Sequence, residues 1–176
     1  EVRVYSFNGK VNSASVNLGK AELAGKKIPC VWNEDKIVNK PVKIGGQDYK
    51  ITLVNIGNPH CVVFSEKVDA VDVETVGPLF ENCDYFPERI NAEFIRVVNK
   101  VTIKMRVWER GNGETWSCGT GAAAAVVAAV LNGFCEKDTN ITVKLRGGDL
   151  VVNYHSDGDV ELMGSVKTVY EGKFEI

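Results

Sequence analysis

This sequence has few histidines, a small net charge and no long apolar run. Only two histidines occur among 176 residues, and no cysteines or histidines have zinc-like spacing, so no metal site is expected. The formal net charge of −2 gives no reason to expect nucleic acid or an anionic membrane as a partner. The longest apolar run, residues 121–131, is much shorter than the roughly 20 residues that span a bilayer.

The five cysteines also lack any disulfide-like pattern, because their number is odd and their spacing is wide. We therefore expect reduced thiols and a cytoplasmic location. A composition of 44% hydrophobic and 25% charged residues is typical of a globular protein with one sizeable core. The cysteines are Cys30, Cys61, Cys83, Cys118 and Cys135.

Short strands separated by turns account for most of the chain, and two segments have helical patterns. Residues 120–131 are apolar on every side, so this helix belongs inside a core, whereas 68–79 is a weaker helical pattern that ends near Gly77-Pro78. We predict an α+β fold in which a curved, mixed or antiparallel, barrel-like sheet wraps around the central helix 120–131. The predicted strands are 2–7, 13–17, 41–45, 49–56, 61–65, 92–99, 101–108, 141–145, 149–154 and 159–163.

The stretch from Glu109 to Gly121 contains most of an active site. Cys118 precedes the Gly119-Thr120-Gly121 turn at the start of the apolar helix, where backbone N–H groups are free and a thiol should ionise readily. An anion can bind the N–H groups of Gly119 and Thr120, although simple capping by Ser117 or Thr120 is an alternative.

Five further polar residues are candidates for the same site. Glu109 and Arg110 end the strand before the cysteine turn, and an arginine there suits a carboxylate ligand; alone, they could equally be a surface ion pair. Asn58 and His60 lie in a Gly-Asn-Pro turn that could be an ordinary loop. Asn91, which follows Phe86-Pro87, has the same two readings.

These residues fall into three ordered blocks that resemble the diaminopimelate epimerase family. The third block is very specific, since related racemase-like families share its Cys-Gly-Thr-Gly turn without the Glu-Arg-Gly-x-Gly-Glu-Thr approach. The blocks are Gly57-Asn58-Pro59-His60; Phe86-Pro87 with Asn91 and Glu93-Phe94; and Glu109-Arg110-Gly111 with Gly113-Glu114-Thr115 and Cys118-Gly119-Thr120-Gly121.

The resemblance implies an isomerase that interconverts LL- and meso-diaminopimelate, in lysine and peptidoglycan precursor biosynthesis, by proton exchange between two cysteines without pyridoxal phosphate, metal or other cofactor. Cys118 would be the proton acceptor, and Glu109 and His60 would tune and position the thiols. Substrate binding would involve Asn58, Asn91, Glu109, Arg110, Gly119 and Thr120.

The resemblance covers only the second half of the family's two-part fold. It implies that residues 1–17 are the tail of an N-terminal domain carrying the other cysteine, that 18–164 form the C-terminal epimerase domain, and that 165–176 form a strand returning to the first. The chain alone is then expected to be inactive and the whole protein to be a homodimer. Two alternatives stay open: a sister isomerase of proline racemase or phenazine type, and a non-catalytic substrate-binding half.

Overall fold

Eleven strands and two α-helices make up residues 2–175, the part of the chain that the computed structural model describes. The helices are α1 (Val73–Glu81) and α2 (Gly119–Leu131), and short 3₁₀ turns cover Gly25–Lys27 and Val68–Ala70. The strands are β1 (Val2–Phe7), β2 (Lys10–Lys20), β3 (Lys40–Ile44), β4 (Gln47–Asn55), β5 (Pro59–Phe64), β6 (Asn91–Asn99), β7 (Thr102–Glu109), β8 (Gly113–Thr115), β9 (Asn140–Leu145), β10 (Gly148–Tyr154) and β11 (Asp159–Ser165).

The predicted elements are present with shifted bounds. The helix predicted over 120–131 is α2, whereas the one predicted over 68–79 is wrong in its extent. There a 3₁₀ turn is followed by α1, which begins after the Asp72 cap and continues past Pro78. The last turn forms because Phe80 and Glu81, which follow the proline, are both buried and tertiary packing stabilises them.

The strands form one mixed sheet in the order β1-β2-β11-β10-β9-β7-β6-β5-β4-β3, with β8 paired to β7. Two pairs are parallel, β5 with β6 and β7 with β9, and each is joined by a helical crossover. Because β6 and β7 are antiparallel, the two crossovers start from strands of opposite direction. Right-handed crossovers then put α1 and α2 on opposite faces of the sheet.

Each face of the central strands has its own hydrophobic core. Val54, Val62 and Ile95 pack toward α2, whose residues 121–129 are all buried. Their sequence neighbours, such as Leu53 and Phe94, pack in the second core. The strand order leaves β1 and β3 as unpaired ends within residues 2–175, so the predicted barrel-like sheet around a central helix is not confirmed.

The two predicted terminal segments differ in structure. Strands β1 and β2 extend the sheet through pairing of β2 with β11. Residues 166–175 belong to no helix or strand within this chain, and their return to an N-terminal domain as a strand stays a prediction, because a strand needs a hydrogen-bonded partner. Glu1 and Ile176, the outermost residues of these segments, lie outside the described residues.

The carboxylate of Glu81 fixes the turn that follows β7. It is the last residue of α1, and its side chain is 7% exposed. It accepts hydrogen bonds from the indole Nε1 of Trp108 at 2.6 Å, the backbone N of Gly111 at 2.8 Å and Nη1 of Arg89 at 3.0 Å. One turn earlier, Gly77 lies against the Trp108 ring with no room for a Cβ. Helix α1 thus holds both the end of β7 and the turn beyond it.

The small side chains of α2 allow a direct test of its packing. Ala124 is fully buried, so Ala124→Leu adds volume to a filled core and should lower the free energy of unfolding by about 1–3 kcal/mol. Urea unfolding measures this. Ala70→Leu makes the same change at an exposed position and should stay within about 0.5 kcal/mol of the parent. Equal stability of the two variants would contradict the packing described.

A second stability prediction concerns Glu81. Glu81→Ala leaves the N–H groups of Trp108 and Gly111 without their acceptor, so the free energy of unfolding should fall by about 1–3 kcal/mol. Urea unfolding followed by tryptophan fluorescence measures the loss, and Glu66→Ala at an exposed site is the control. If Glu81→Ala were no less stable than Glu66→Ala, the anchoring role would be wrong.

Candidate active site

The candidate residues meet where four elements end or begin at one edge of the sheet. Since β7 runs antiparallel to β6, and β6 runs parallel to β5, the end of β7 lies beside the starts of the other two strands. The chain then passes through β8 directly into the start of α2. The fold therefore brings the three sequence blocks to one place.

Cys118 is itself the N-cap of α2. Its Sγ accepts a hydrogen bond from the backbone N of Gly121 at 3.3 Å, and Oγ1 of Thr120 lies 3.7 Å from the same sulfur. The alternative of capping by Ser117 or Thr120 is therefore wrong, because the Cys118 thiol occupies the capping position. Cys118 is 7% exposed, so most of its surface is inside the protein.

The expectation that this thiol ionises readily is not met within the chain. Burial raises the pKa of Cys118 to about 11, and the nearby carboxyl groups of Glu93 and Glu109 act in the same direction. The hydrogen bonds from Gly121 and Thr120 lower that pKa, but by less. Desolvation outweighs the helix start, so Cys118 keeps its proton at neutral pH.

The start of α2 also offers donors for an anion. The backbone N–H groups of Gly119 and Thr120 belong to the first turn, whose donors have no acceptor in their own helix. Both residues are partly exposed, so these groups lie near the surface beside Cys118. A carboxylate could bind here, with the thiol within reach of the atom next to it.

Glu109 and Arg110 occupy the end of β7 and the turn after it. Glu109 accepts a short hydrogen bond from Oγ1 of Thr115 on β8. The guanidinium Nη1 of Arg110 donates to the carbonyl of Glu88 at 3.0 Å, which leaves its other donors for a ligand. Both side chains are partly exposed and are not paired with each other, unlike a simple surface ion pair.

Both asparagines are already engaged in the site's own hydrogen bonds. Asn91 is buried; its Oδ1 accepts from the backbone N of Arg110 at 2.9 Å and its Nδ2 donates to the carbonyl of Pro59 at 2.8 Å. Asn58 is partly exposed, with its Oδ1 3.0 Å from Nε2 of His60. Asn91 thus fixes the turn that carries Arg110, and substrate contact by either amide stays a prediction.

His60 is fully buried and forms a pair with an acid that sequence reasoning left without a role. Its Nδ1 lies 2.7 Å from Oε1 of Glu93, and both side chains have no exposed surface. Burial raises the pKa of Glu93, while His60 acts against that rise. The sequence did contain a signal for this role: Glu93 is the one acidic residue in the mainly apolar segment 90–95.

Three further observations concern metal ligands, the second histidine and membrane-spanning helices. Within residues 2–175, no group of three or more His, Cys, Asp or Glu side chains is arranged to hold a metal ion. The second histidine, His155, lies on the turn between β10 and β11, near Asp138 and Glu161. None of the helices in residues 2–175 has the length and apolar character needed to cross a membrane.

Comparison with known proteins gives a family match and relatives that cover most of this chain. Residues 52–169 match the sequence profile of the family described as diaminopimelate epimerase. The diaminopimelate epimerase of Bacillus licheniformis is 44% identical over 169 residues, which is 96% of this chain and 59% of that protein. That of Pelotomaculum thermopropionicum is also 44% identical, over 94% of this chain and 59% of its own length.

A solved structure shares the fold at low sequence identity. A probable proline racemase from Agrobacterium radiobacter, solved with bound carbonate, superposes with a TM-score of 0.68 at 12% identity, over 93% of this chain and 54% of that one. This chain therefore spans little more than half the length of the proteins it matches. Since the profile match covers most of its residues, the chain belongs to the diaminopimelate epimerase family.

Proposed function

We propose that this chain is the C-terminal part of a diaminopimelate epimerase, an isomerase that interconverts LL- and meso-diaminopimelate. It would carry Cys118, one of the two catalytic cysteines. The observation that carries the proposal is the grouping at the start of α2, where a buried thiol, free backbone N–H groups and Arg110 lie at one edge of the sheet. Membership of the family supports the choice of substrate.

The proposed reaction is removal of a proton from the α-carbon and its return on the opposite side. Such a proton is weakly acidic, so the negative charge that develops toward the carboxylate needs fixed donors. The N–H groups of Gly119 and Thr120, together with the Arg110 guanidinium, would hold that carboxylate. The substrate would then lie with its α-carbon beside Sγ of Cys118.

The protonated state of Cys118 determines which half-reaction it begins. A thiol with a raised pKa is a proton donor at rest, so it would give its proton to the carbon that the other cysteine has deprotonated. After that transfer it is a thiolate, and it can accept the proton in the reverse direction. The expected role as acceptor therefore describes one of two directions of the same exchange.

The remaining residues would position these groups. Glu109 lies near the thiol and would face the substrate amino group, while Asn58 and Asn91 would contact the substrate beyond their present hydrogen bonds. His60 would tune and position the thiol from inside the protein and would not contact the substrate, because it is fully buried. No step in this scheme uses a metal, pyridoxal phosphate or another cofactor.

The second cysteine would come from a portion of the whole protein that this chain does not contain. The chain spans 59% of the length of its relatives, which is consistent with a further domain. On this proposal, residues 1–17 are the tail of that domain, 18–164 form the C-terminal epimerase domain, and 165–176 form a strand that returns to the first domain. The whole protein would be a cytoplasmic homodimer of lysine and peptidoglycan precursor biosynthesis.

A sister isomerase is the alternative reading, and the fold alone does not separate it from the proposal. The proline racemase structure shares the architecture at 12% identity, whereas the relatives at 44% identity are named diaminopimelate epimerases. A side-by-side assay on proline and diaminopimelate with the whole protein distinguishes them. Faster turnover of proline would overturn the proposed substrate.

Loss of the thiol should stop the reaction. In the whole protein, Cys118→Ala should lower the rate of α-proton exchange with deuterated solvent by about 10²–10⁴-fold, the usual contribution of a positioned acid or base. Cys135→Ala is the control, since Cys135 is also buried but lies beyond the far end of α2. Undiminished exchange in Cys118→Ala would refute the proposed mechanism.

The chain alone should not epimerise diaminopimelate, because inversion needs a second base on the opposite side of the α-carbon. Proton nuclear magnetic resonance in deuterated water measures loss of the α-proton signal from the substrate. We expect no exchange above background with the purified chain and recovery in the whole protein. Epimerisation by the chain alone would show that all catalytic groups lie within these residues.

A further inference from the structure

Glu93 interrupts the apolar face of a buried strand. Along β6, Ala92 and Phe94 pack in the core beside α1, so Glu93 and Ile95 point to the face covered by α2. Ile95 takes part in the apolar core on that face. Glu93, two residues earlier on the same face, places a fully buried carboxyl group there. Burying a carboxyl group costs free energy unless partners compensate it.

The two carboxyl oxygens of Glu93 differ in their hydrogen bonding. Oε1 contacts Nδ1 of His60 at 2.7 Å, but Oε2 is buried and has no hydrogen-bond partner among the described residues. A carboxyl group kept only for stability would have both oxygens satisfied, since an unpaired buried oxygen costs stability. This arrangement favours a function for the acid over a purely structural role.

Gly121 opens the space between Glu93 and the thiol. A Cβ on Gly121 would lie 2.9 Å from Oε1 of Glu93 and 3.1 Å from Sγ of Cys118. Any side chain at this position would therefore collide with the carboxyl group and press on the sulfur. Because glycine is there, the acid and the thiol lie on either side of one small gap beneath the first turn of α2.

We propose that Glu93 is a positioning residue of the site, which holds His60 by Nδ1–H and places its carboxylate behind the Cys118 thiol through the gap at Gly121. The inference rests on the proposed function for the roles of Cys118 and His60. The carboxylate keeps the His60 ring in one orientation and favours the thiol over the thiolate, so that Cys118 holds a proton to donate.

Groups on several elements affect the ionisation of the Cys118 thiol. Glu93 on β6 and Glu109 on β7 disfavour the thiolate, and the Gly121 N–H and Thr120 hydroxyl on α2 favour it. His60 on β5 faces Glu93. Removing the Glu93 charge leaves the two hydrogen-bond donors in place, so the thiolate should form at lower pH.

The histidine tautomer in the unaltered chain provides the first test. Long-range proton–nitrogen correlation spectra of nitrogen-15-labelled protein distinguish protonated from unprotonated ring nitrogens, and His155→Asn assigns the two histidines. We expect His60 Nδ1 to carry a hydrogen, because it donates to the Glu93 carboxylate; Nε2, which faces Oδ1 of Asn58, then donates as well. An unprotonated Nδ1 would overturn the proposal, since the carboxyl group would then be the donor.

Thiol reactivity in the same chain provides the second test. Glu93→Gln keeps an oxygen that can accept from Nδ1–H but removes the charge. Alkylation of Cys118 by iodoacetamide at pH 8, followed on its peptide by mass spectrometry, should become about tenfold faster, because a nearby like charge changes a pKa by about one unit or more. Glu161→Gln on β11 is the matched charge control and should not change the rate.

Cys135 reports whether the fold is intact in this experiment, because it is buried away from Glu93. A rise at Cys118 alone supports the proposal, and an unchanged Cys118 rate overturns it. If Cys118 and Cys135 rise together, the variant has unfolded and the histidine spectrum decides.

In the whole protein, Glu93→Gln should lower kcat for diaminopimelate at least about tenfold and leave KM within about twofold, because Glu93 is buried behind the site. A rise in KM with unchanged kcat would contradict a role behind the thiol. A whole protein inactive on diaminopimelate would refute the proposed function, while the two measurements on the chain would still decide the role of Glu93.

Discussion

The close approach of α2 to the sheet depends on the small side chains along its buried length. Glycine, alanine and valine fill positions 121–129, all of them buried, so the helix lies against the central strands. Its first turn is then held at a fixed depth, where Cys118 is nearly covered and Gly121 leaves room for a carboxyl group from β6. A larger residue at Gly121 would separate the thiol from the acid that lies beneath it.

The burial of this first turn determines whether the pKa of Cys118 is raised or lowered. A helix start favours an anion, and in an exposed position it would lower the pKa of a cysteine. Here burial and two carboxyl groups oppose it, and the pKa rises to about 11. The thiol is therefore poorly suited to act as a general nucleophile at neutral pH, but it is well suited to keep a proton until a carbanion forms beside it.

The sequence contained enough to select the candidate site residues, because many of them are close together along the chain. The residues from Glu109 to Gly121 are contiguous, and the apolar pattern of 120–131 favours a buried helix. The raised pKa of Cys118 was not predictable from them, since it comes first from burial in the folded chain and then from Glu93, which is distant along the sequence. Glu81 was missed for the same reason: its partners Trp108 and Gly111 are 27 and 30 residues away. The extent of α1 depended on burial after Pro78, which propensity alone does not reveal.

The acid–base groups that this chain would contribute to the proposed mechanism would all lie on one side of the substrate α-carbon. The donors at the start of α2 and the Arg110 guanidinium would hold the carboxylate from the same side as the Cys118 thiol, and His60 and Glu93 lie behind it. A proton returned from this side alone would restore the configuration that was lost. Inversion therefore needs a base that approaches from outside this surface, and the partial exposure of Glu109, Arg110, Gly119 and Thr120 leaves the surface open to one.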